Sequence, residues 1–156
     1  MVERMKKFTI LFLMACALCS CATSNPVVVK KTQILAVESW KVVMCECGNE
    51  LKISETLYVD VKINLWCDIA MLLKDKYGLP VYTDRGDGLI EICPTRAMRR
   101  NIDEINIRAV CVYMRDKKGR LVGRLDINNG QGAFTVKDTH GFAEYCAKEI
   151  KGMMEI

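Results

Sequence analysis

Residues 107–127 read IRAVCVYMRDKKGRLVGRLDI, and this stretch decides the fold. Two apolar runs, the first rich in β-branched residues, flank the short polar segment 116–119, which ends on Gly119. Two such runs around a glycine-containing turn predict an antiparallel β-hairpin. A hairpin alone cannot bury its apolar face, so the other elements are expected to extend it and cover it.

Several other segments upstream also predict strands. Residues 40–47 and the regularly alternating residues 50–63 predict strands around a Gly48-Asn49 turn, the second segment as one half-buried strand or as two strands that break near residues 54–55. Residues 34–37, 79–82 and 89–93 predict short strands, the last of which is expected to end at Pro94. Residues 95–105 are polar with a weak helical pattern, and residues 133–136 predict a last short strand.

Two segments have helical spacing of their apolar residues. The first follows Asn64, runs through residues 65–77 and is expected to end at Gly78. The second begins at Asp138 or Thr139 and carries a stripe that consists of Phe142, Tyr145, Cys146, Ile150 and Met153. The order of strands, helix, strands and helix predicts an α+β fold, with a mainly antiparallel sheet and one central and one C-terminal helix packed on it.

Residues 1–26 read MVERMKKFTILFLMACALCSCATSNP and have the form of an export signal. Arg4, Lys6 and Lys7 form a basic head, and residues 8–18 are apolar or small apart from Thr9. This run is too short to cross a bilayer, which takes about 20 apolar residues. A basic head before a short apolar run predicts a secretory signal, whether the chain starts at Met1 or at Met5.

The segment Leu18-Cys19-Ser20-Cys21 resembles the lipobox of bacterial lipoproteins, in which a leucine and a small residue precede the lipidated cysteine. The resemblance implies that Cys21 receives a diacylglyceryl group on its sulfur, that the chain is cut before Cys21, and that the new amine is acylated. Leu18 and Ser20 are then the residues of the cleavage site. A second register, LMAC at residues 13–16, would place the lipid on Cys16 after a shorter apolar run.

The resemblance also implies a domain organisation and a location. Residues 1–20 are expected to be the signal peptide, residues 21–32 a lipidated tether, and residues 33–156 a single α+β domain. Cys21 is followed by Ala22 instead of an aspartate, and no acidic run comes after it. The retention signal for the inner membrane and the tether for surface export are therefore missing, and we expect the periplasmic face of the outer membrane.

Length and charge narrow the possible partners. Removal of residues 1–20 leaves 136 of the 156 residues, with 20 basic and 18 acidic side chains and a net charge of +2. This size is usual for one domain, and the weak charge favours neither nucleic acid nor a polybasic membrane patch. The expected partners are the membrane, through the N-terminal lipid, and an envelope protein. We expect no nucleic acid and no cofactor.

Six cysteines remain in the mature chain: Cys45, Cys47, Cys67, Cys93, Cys111 and Cys146. An even number in an exported protein is compatible with disulfides, but these residues lie within apolar runs, where free cysteine is common. Cys45 and Cys47 lie two residues apart on one predicted strand and could supply half of a thiolate metal site. A thiol- or metal-dependent enzyme that uses this pair is one alternative function.

Three further motifs have ordinary structural explanations. His140 is the only histidine and lies at a helix start. Residues 85–87 spell Arg-Gly-Asp, but the glycine is typical of a turn. Arg96, Arg99, Arg100 and Arg108 could contact lipid headgroups or an acidic partner, although Asp103 and Glu104 lie between them and favour a self-neutralised, solvated face.

Residues 79–84 (LPVYTD) and 116–122 (DKKGRLV) resemble pieces of small α/β envelope lipoproteins, which are related to the N-terminal domain of the Tol-Pal propeller protein and to curli-secretion lipoproteins. The resemblance implies an envelope role and transfers no functional residue. With no catalytic set of residues in the sequence, we expect a non-enzymatic binding or assembly role. A domain that binds a small ligand is the other alternative.

Overall fold

The computed structural model describes residues 22–45, 65–99, 105–129 and 139–155. The strands in these ranges are β1 (Thr23–Val29), β2 (Trp40–Met44), β3 (Val81–Tyr82), β4 (Gly88–Arg99), β5 (Ile105–Arg115) and β6 (Leu121–Asn128). The helices are α1 (Lys31–Leu35), α2 (residues 65–71, which continue into the π-helical turn Leu72–Lys76) and α3 (Thr139–Glu155).

The predicted hairpin forms the centre of one sheet, whose strand order is β1-β6-β5-β4-β2-β3. β5 and β6 are antiparallel, and Cys111 lies opposite Asp126. Gly119 closes the turn with a φ of 75°, a conformation that glycine adopts without strain. The prediction of this hairpin from residues 107–127 is confirmed.

The α+β class is confirmed, but the prediction of a mainly antiparallel sheet is wrong, because the sheet is mixed. β1, β6, β5 and β4 pair antiparallel, whereas β2 pairs parallel with both β3 and β4. α2 lies between β2 and β3 in the chain. A chain that crosses over through a helix returns in the same direction, which makes the two strands parallel.

Two shorter predictions also differ from the structure. Residues 34–37 were expected to form a strand, but α1 covers residues 31–35, and its Ile34 is buried. β4 continues through Pro94 to Arg99 where the sequence predicted an end and then a weak helical pattern. Register shifts on both sides of Arg96 absorb the irregularity, since a bulge tolerates a proline that cannot donate to the ladder.

One apolar core joins the sheet to the helices. Val42, Ile92 and Met114 of the sheet are among its members, together with Leu73 of α2 and Phe142 of α3. α3 contacts β1, β5 and β6, and α2 contacts β3 and α3. On the predicted stripe of α3, all residues but the half-buried Tyr145 are buried: Phe142, Cys146, Ile150 and Met153.

β1 lies within residues 21–32, which the sequence analysis assigned to a tether. Its first residue, Thr23, pairs with Asn128, and its last, Val29, pairs with Gly123. The hydroxyl of Ser24 also donates to the carboxylate of Glu149 on α3. The chain therefore joins the sheet ten residues before the predicted start of the domain at residue 33. The predicted strands at residues 50–63 and 133–136 lie outside the described residues.

Candidate functional site

The first candidate site is the end of the sheet at which β1 begins. Thr23 of β1, Asn128 of β6 and Ala109 of β5 lie side by side there, because Asn128 pairs with both of the others. Leu18, Ser20 and Cys21, the residues of the predicted lipobox, lie outside the described residues. Thr23 follows Cys21 by two residues, and two residues of extended chain span at most about 7 Å. A lipid on Cys21 would therefore be attached directly beside this end of the sheet.

The second candidate site is the pair Cys45 and Cys47. Cys45 directly follows β2, and its amide donates to the carbonyl of Ile92 at 3.0 Å. Cys45 is disulfide-bonded, whereas Cys67, Cys93, Cys111 and Cys146 are free. A disulfide sulfur is not a thiolate ligand. Cys47 itself lies outside the described residues.

A third group of residues was missed by the sequence analysis. Cys93, Cys111 and Asp126 are register partners across β4, β5 and β6, and the thiol of Cys111 donates to Oδ1 of Asp126 at 2.9 Å. Cys93 and Cys111 are buried, with exposed fractions of 1% and 4%. The hairpin register around residues 116–119 could have placed Cys111 opposite Asp126. The pairing of Cys93 also depends on the connection between β4 and β5, which carries no clear turn signal.

Burial makes these thiols poor nucleophiles. It raises the pKa of Cys93 to about 12, and the nearby Cys111 adds to the effect. Burial also raises the pKa of Cys111, and the hydrogen bond to Asp126 adds to this shift because it holds the proton on sulfur. The reactive form of cysteine is the thiolate, so the arrangement is that of packed structural thiols.

Two hollows at the surface bear on the small-ligand alternative. One, of about 300 Å³, lies over β5 and β6 and is lined in part by Cys111, Tyr113, Arg124 and Asp126. The other, of about 270 Å³, lies between α2 and β3. It includes the charged side chains Lys74, Asp75 and Asp84 in its lining. Both are shallow and partly polar, whereas small-ligand sites are mostly apolar and enclosed.

The Arg-Gly-Asp triplet has a structural role. The amide of Asp87 donates to the carbonyl of Ser39 at 3.0 Å, and the Ser39 hydroxyl lies 3.3 Å from the Asp87 carboxylate. Gly86 passes so close to β2 that a Cβ placed on it would lie 2.2 Å from the amide nitrogen of Lys41. This segment is therefore fixed against the start of β2, where only glycine fits.

The described residues show neither a metal cluster nor a membrane-spanning helix. His140 lies in the first turn of α3. Within the described residues, no group of three or more histidine, cysteine, aspartate or glutamate side chains could hold a metal ion. In the same part of the chain, no helix is both long and apolar enough to cross a membrane.

Comparisons with known proteins identify a similar fold and no family. No protein-family model matches the chain, and a search of curated proteins found no significant match. Among solved structures, the PelC dodecamer from Paraburkholderia phytofirmans is similar, with a TM-score of 0.53 and 10% sequence identity. A single-residue variant of that dodecamer has a TM-score of 0.54 and 11% identity. Each match covers 86% of this chain and 97% of the PelC chain, so the likeness extends over nearly the whole PelC fold.

Proposed function

We propose that this protein is an outer-membrane lipoprotein, anchored through lipid on Cys21, whose α+β domain faces the periplasm. The observation that carries the proposal is the sequence Leu18-Cys19-Ser20-Cys21 at the end of a basic and then apolar leader. Each buried methylene contributes about 0.8 kcal/mol, and a single acyl chain holds a protein only marginally. The three chains of a mature lipoprotein therefore anchor it firmly without a spanning helix.

The position of β1 is compatible with a cut before Cys21. A cut before Cys21 leaves only Ala22 between the lipidated residue and the first strand residue, Thr23. β1 is retained whole, including the hydrogen bond from Ser24 to Glu149. Lipid at Cys16 would place six residues between the anchor and β1, among them a free Cys19 and Cys21.

We further propose that the domain has a non-enzymatic binding or assembly role in the envelope. Support comes from the buried, protonated state of Cys93 and Cys111 and from the disulfide at Cys45, which leave no activated thiol among these three residues. Of the surface hollows lined by described residues, the two over β5–β6 and between α2 and β3 lack the apolar, enclosed form that would favour a small-ligand domain.

Metabolic labelling with radioactive palmitate tests the anchor. Label is expected in the wild-type protein and in Cys16→Ala, and it is expected to disappear in Cys21→Ala. Cys16→Ala is the matched control, because it removes the alternative cysteine and leaves the lipobox intact. Label that persists in Cys21→Ala would refute the assignment of Cys21.

A further inference from the structure

We infer that the end of the sheet beside Cys21 docks on the anchoring membrane, and that arginines of the hairpin extension bind its anionic phospholipid headgroups. The hairpin extension is defined as residues 96–99 of β4 and 105–108 of β5. The inference rests on the proposed lipidation of Cys21. Beyond that proposal, the inference specifies how the domain is oriented on the membrane and which class of lipid headgroup it binds.

Strand register places the hairpin extension at the anchored end. Thr23 pairs with Asn128, Asn128 with Ala109, and Ala109 with Arg96, so these four residues form one row across the sheet. Beyond that row, within the described residues, β4 and β5 continue through pairs that end at Arg99 and Ile105, and the amide of Asn129 donates to the carbonyl of Arg108 at 2.8 Å. Four residues of strand extend about 13 Å, whereas Cys21 lies at most about 7 Å from Thr23.

The lateral distance is also short. β5 is the second strand from β1 and β4 is the third. Strands in a sheet lie about 4.8 Å apart, which places the hairpin extension roughly 10–15 Å to the side of the chain that leads to Cys21. A bilayer that holds the acyl chains of Cys21 is therefore within reach of the hairpin extension.

The arginines at this end of the sheet differ in their ion pairing from the arginines elsewhere in the sheet. Three arginines elsewhere in β5, β6 and the turn between them form ion pairs. Arg115 pairs with Glu91, Arg120 with Asp116, and Arg124 with Asp126. Arg96 is exposed and Arg108 is half-buried, and neither has an ion-pair partner within the described residues. Arg99 is the third arginine of the hairpin extension, which contains no acidic residue.

The sequence shows that the positive charge is local. Residues 96–108 contain four arginines and two acidic residues, a net charge of +2, which equals the net charge of the whole mature chain. The remainder of the mature chain is thus balanced. Each basic side chain near an anionic surface strengthens attachment by about fivefold, and this attraction is confined to within a Debye length of the surface.

Hydrogen–deuterium exchange on the mature lipidated protein in vesicles tests the inference. Vesicles of phosphatidylcholine alone are compared with vesicles that also contain phosphatidylglycerol. Amides of residues 96–99 and 105–108 are expected to exchange more slowly, by roughly fivefold or more, on the anionic vesicles. Amides of the turn at residues 116–120, at the opposite end of the sheet, are expected not to change.

Two double variants make the test specific. Arg96→Gln with Arg108→Gln is expected to abolish the protection, because the ratio of docked to undocked protein falls by roughly 20-fold. Lys117→Gln with Lys118→Gln removes the same charge from two exposed residues at the far turn and is expected to preserve the protection. Circular dichroism of both variants verifies that the fold is retained.

The outcomes separate the two proposals. Protein that carries palmitate but shows no lipid-dependent protection of the hairpin extension would overturn the docking and leave the anchor in place. Protection that survives Arg96→Gln with Arg108→Gln would also overturn it, because headgroup binding would then not depend on these arginines. Protein without palmitate would refute the anchor, and the docking inference would fail with it.

Discussion

At the scale of single residues, Gly86 is the described glycine at which an added Cβ would meet the closest backbone atoms. A Cβ at this position would lie 2.2 Å from the nitrogen of Lys41 and 2.5 Å from the carbonyl carbon of Trp40. Both are backbone atoms of β2, which cannot move aside as a flexible side chain can. We expect Gly86→Ala to destabilise the protein by about 1–3 kcal/mol, the usual cost of overpacking.

Urea unfolding of Gly86→Ala and Gly152→Ala measures this effect against a control. A Cβ at Gly152 in α3 meets nothing within 4 Å, and alanine is a better helix former than glycine. Gly152→Ala is therefore expected to raise the free energy of unfolding by about 0.5–1 kcal/mol, which moves the unfolding midpoint to a higher urea concentration. A Gly86→Ala protein as stable as wild type would contradict the close approach to β2.

The cysteines allow a second test at this scale. A pKa raised from 9.0 to about 12 lowers the thiolate fraction of Cys93 by about a thousandfold, and Cys146 is fully buried, with its pKa also raised by burial. Of the four free cysteines in the described residues, we expect only the half-buried Cys67 to react rapidly with iodoacetamide in the native protein.

Site-resolved mass spectrometry after a brief alkylation measures these reactivities, with urea-unfolded protein as the control for full labelling. Cys93, Cys111 and Cys146 are expected to label only after unfolding. Rapid labelling of Cys93 or Cys111 in the folded protein would contradict their inert, buried state.

At the scale of elements, the β5–β6 turn depends on the carboxylate of Asp116. This carboxylate accepts hydrogen bonds from the amides of Lys118 and Arg120 at 2.9 and 3.0 Å and pairs with the Arg120 guanidinium. The Arg120 side chain is the main cause that lowers the pKa of Asp116 below its ordinary value of 3.8. The ionised form is thus favoured in the folded state, and it stabilises the turn above that pH.

Asp116→Asn retains a side-chain oxygen and removes the charge, so it isolates the ionic contribution. The variant is expected to be less stable than wild type at neutral pH. The difference should begin to shrink as the pH falls below about 4, because the unfolded wild-type chain then binds a proton at Asp116 while the folded protein, whose Asp116 has a lowered pKa, still resists protonation. Urea unfolding of both proteins between pH 3 and pH 7 measures this difference in stability. Lys117→Gln is the control. A difference independent of pH would contradict the role of the charge.

The same turn illustrates how much of the fold the sequence predicts. Residues 107–127 carry both strands and their turn, so local chemistry alone determines the β5–β6 pair. The parallel pairing of β2 with β3 and β4 depends on a crossover through α2, and no periodicity within the strands encodes that direction. Likewise, β4 passes through Pro94 because a bulge and the neighbouring β5 accommodate it, which local propensity does not reveal.

The sequence predicts the proposed lipidation site, but it does not predict which residues of the fold lie beside that site. The proposed leader and the proposed lipidation of Cys21 would be linear signals that an export system reads before folding, so they can be predicted from the sequence alone. The row that joins Thr23, Asn128, Ala109 and Arg96 is formed by three separate strand pairings. The sequence therefore predicted a tether at Thr23, whereas the register pairs this residue with Asn128 of β6. Asp103 and Glu104, on which the self-neutralised interpretation of the arginine cluster depends, lie outside the described residues.

At the scale of the whole molecule, the short link between Cys21 and β1 has consequences for position. A long tether would let the domain reach partners far from the bilayer, in any orientation. With β1 paired from Thr23 onward, a domain anchored at Cys21 as proposed would be confined to the membrane surface, and the turn at residues 116–119 would lie at the far end of the sheet. A protein partner would meet that far end or the sides of the sheet.

We propose that the mature chain begins at a lipidated Cys21, two residues before the first strand. Intact and peptide mass spectrometry of the protein purified from membranes tests this start directly. The N-terminal peptide is expected to start at Cys21 and to carry a diacylglyceryl group on sulfur and an acyl group on the amine. A mature chain that starts at Cys16 or Met1, or an unmodified Cys21, would contradict it.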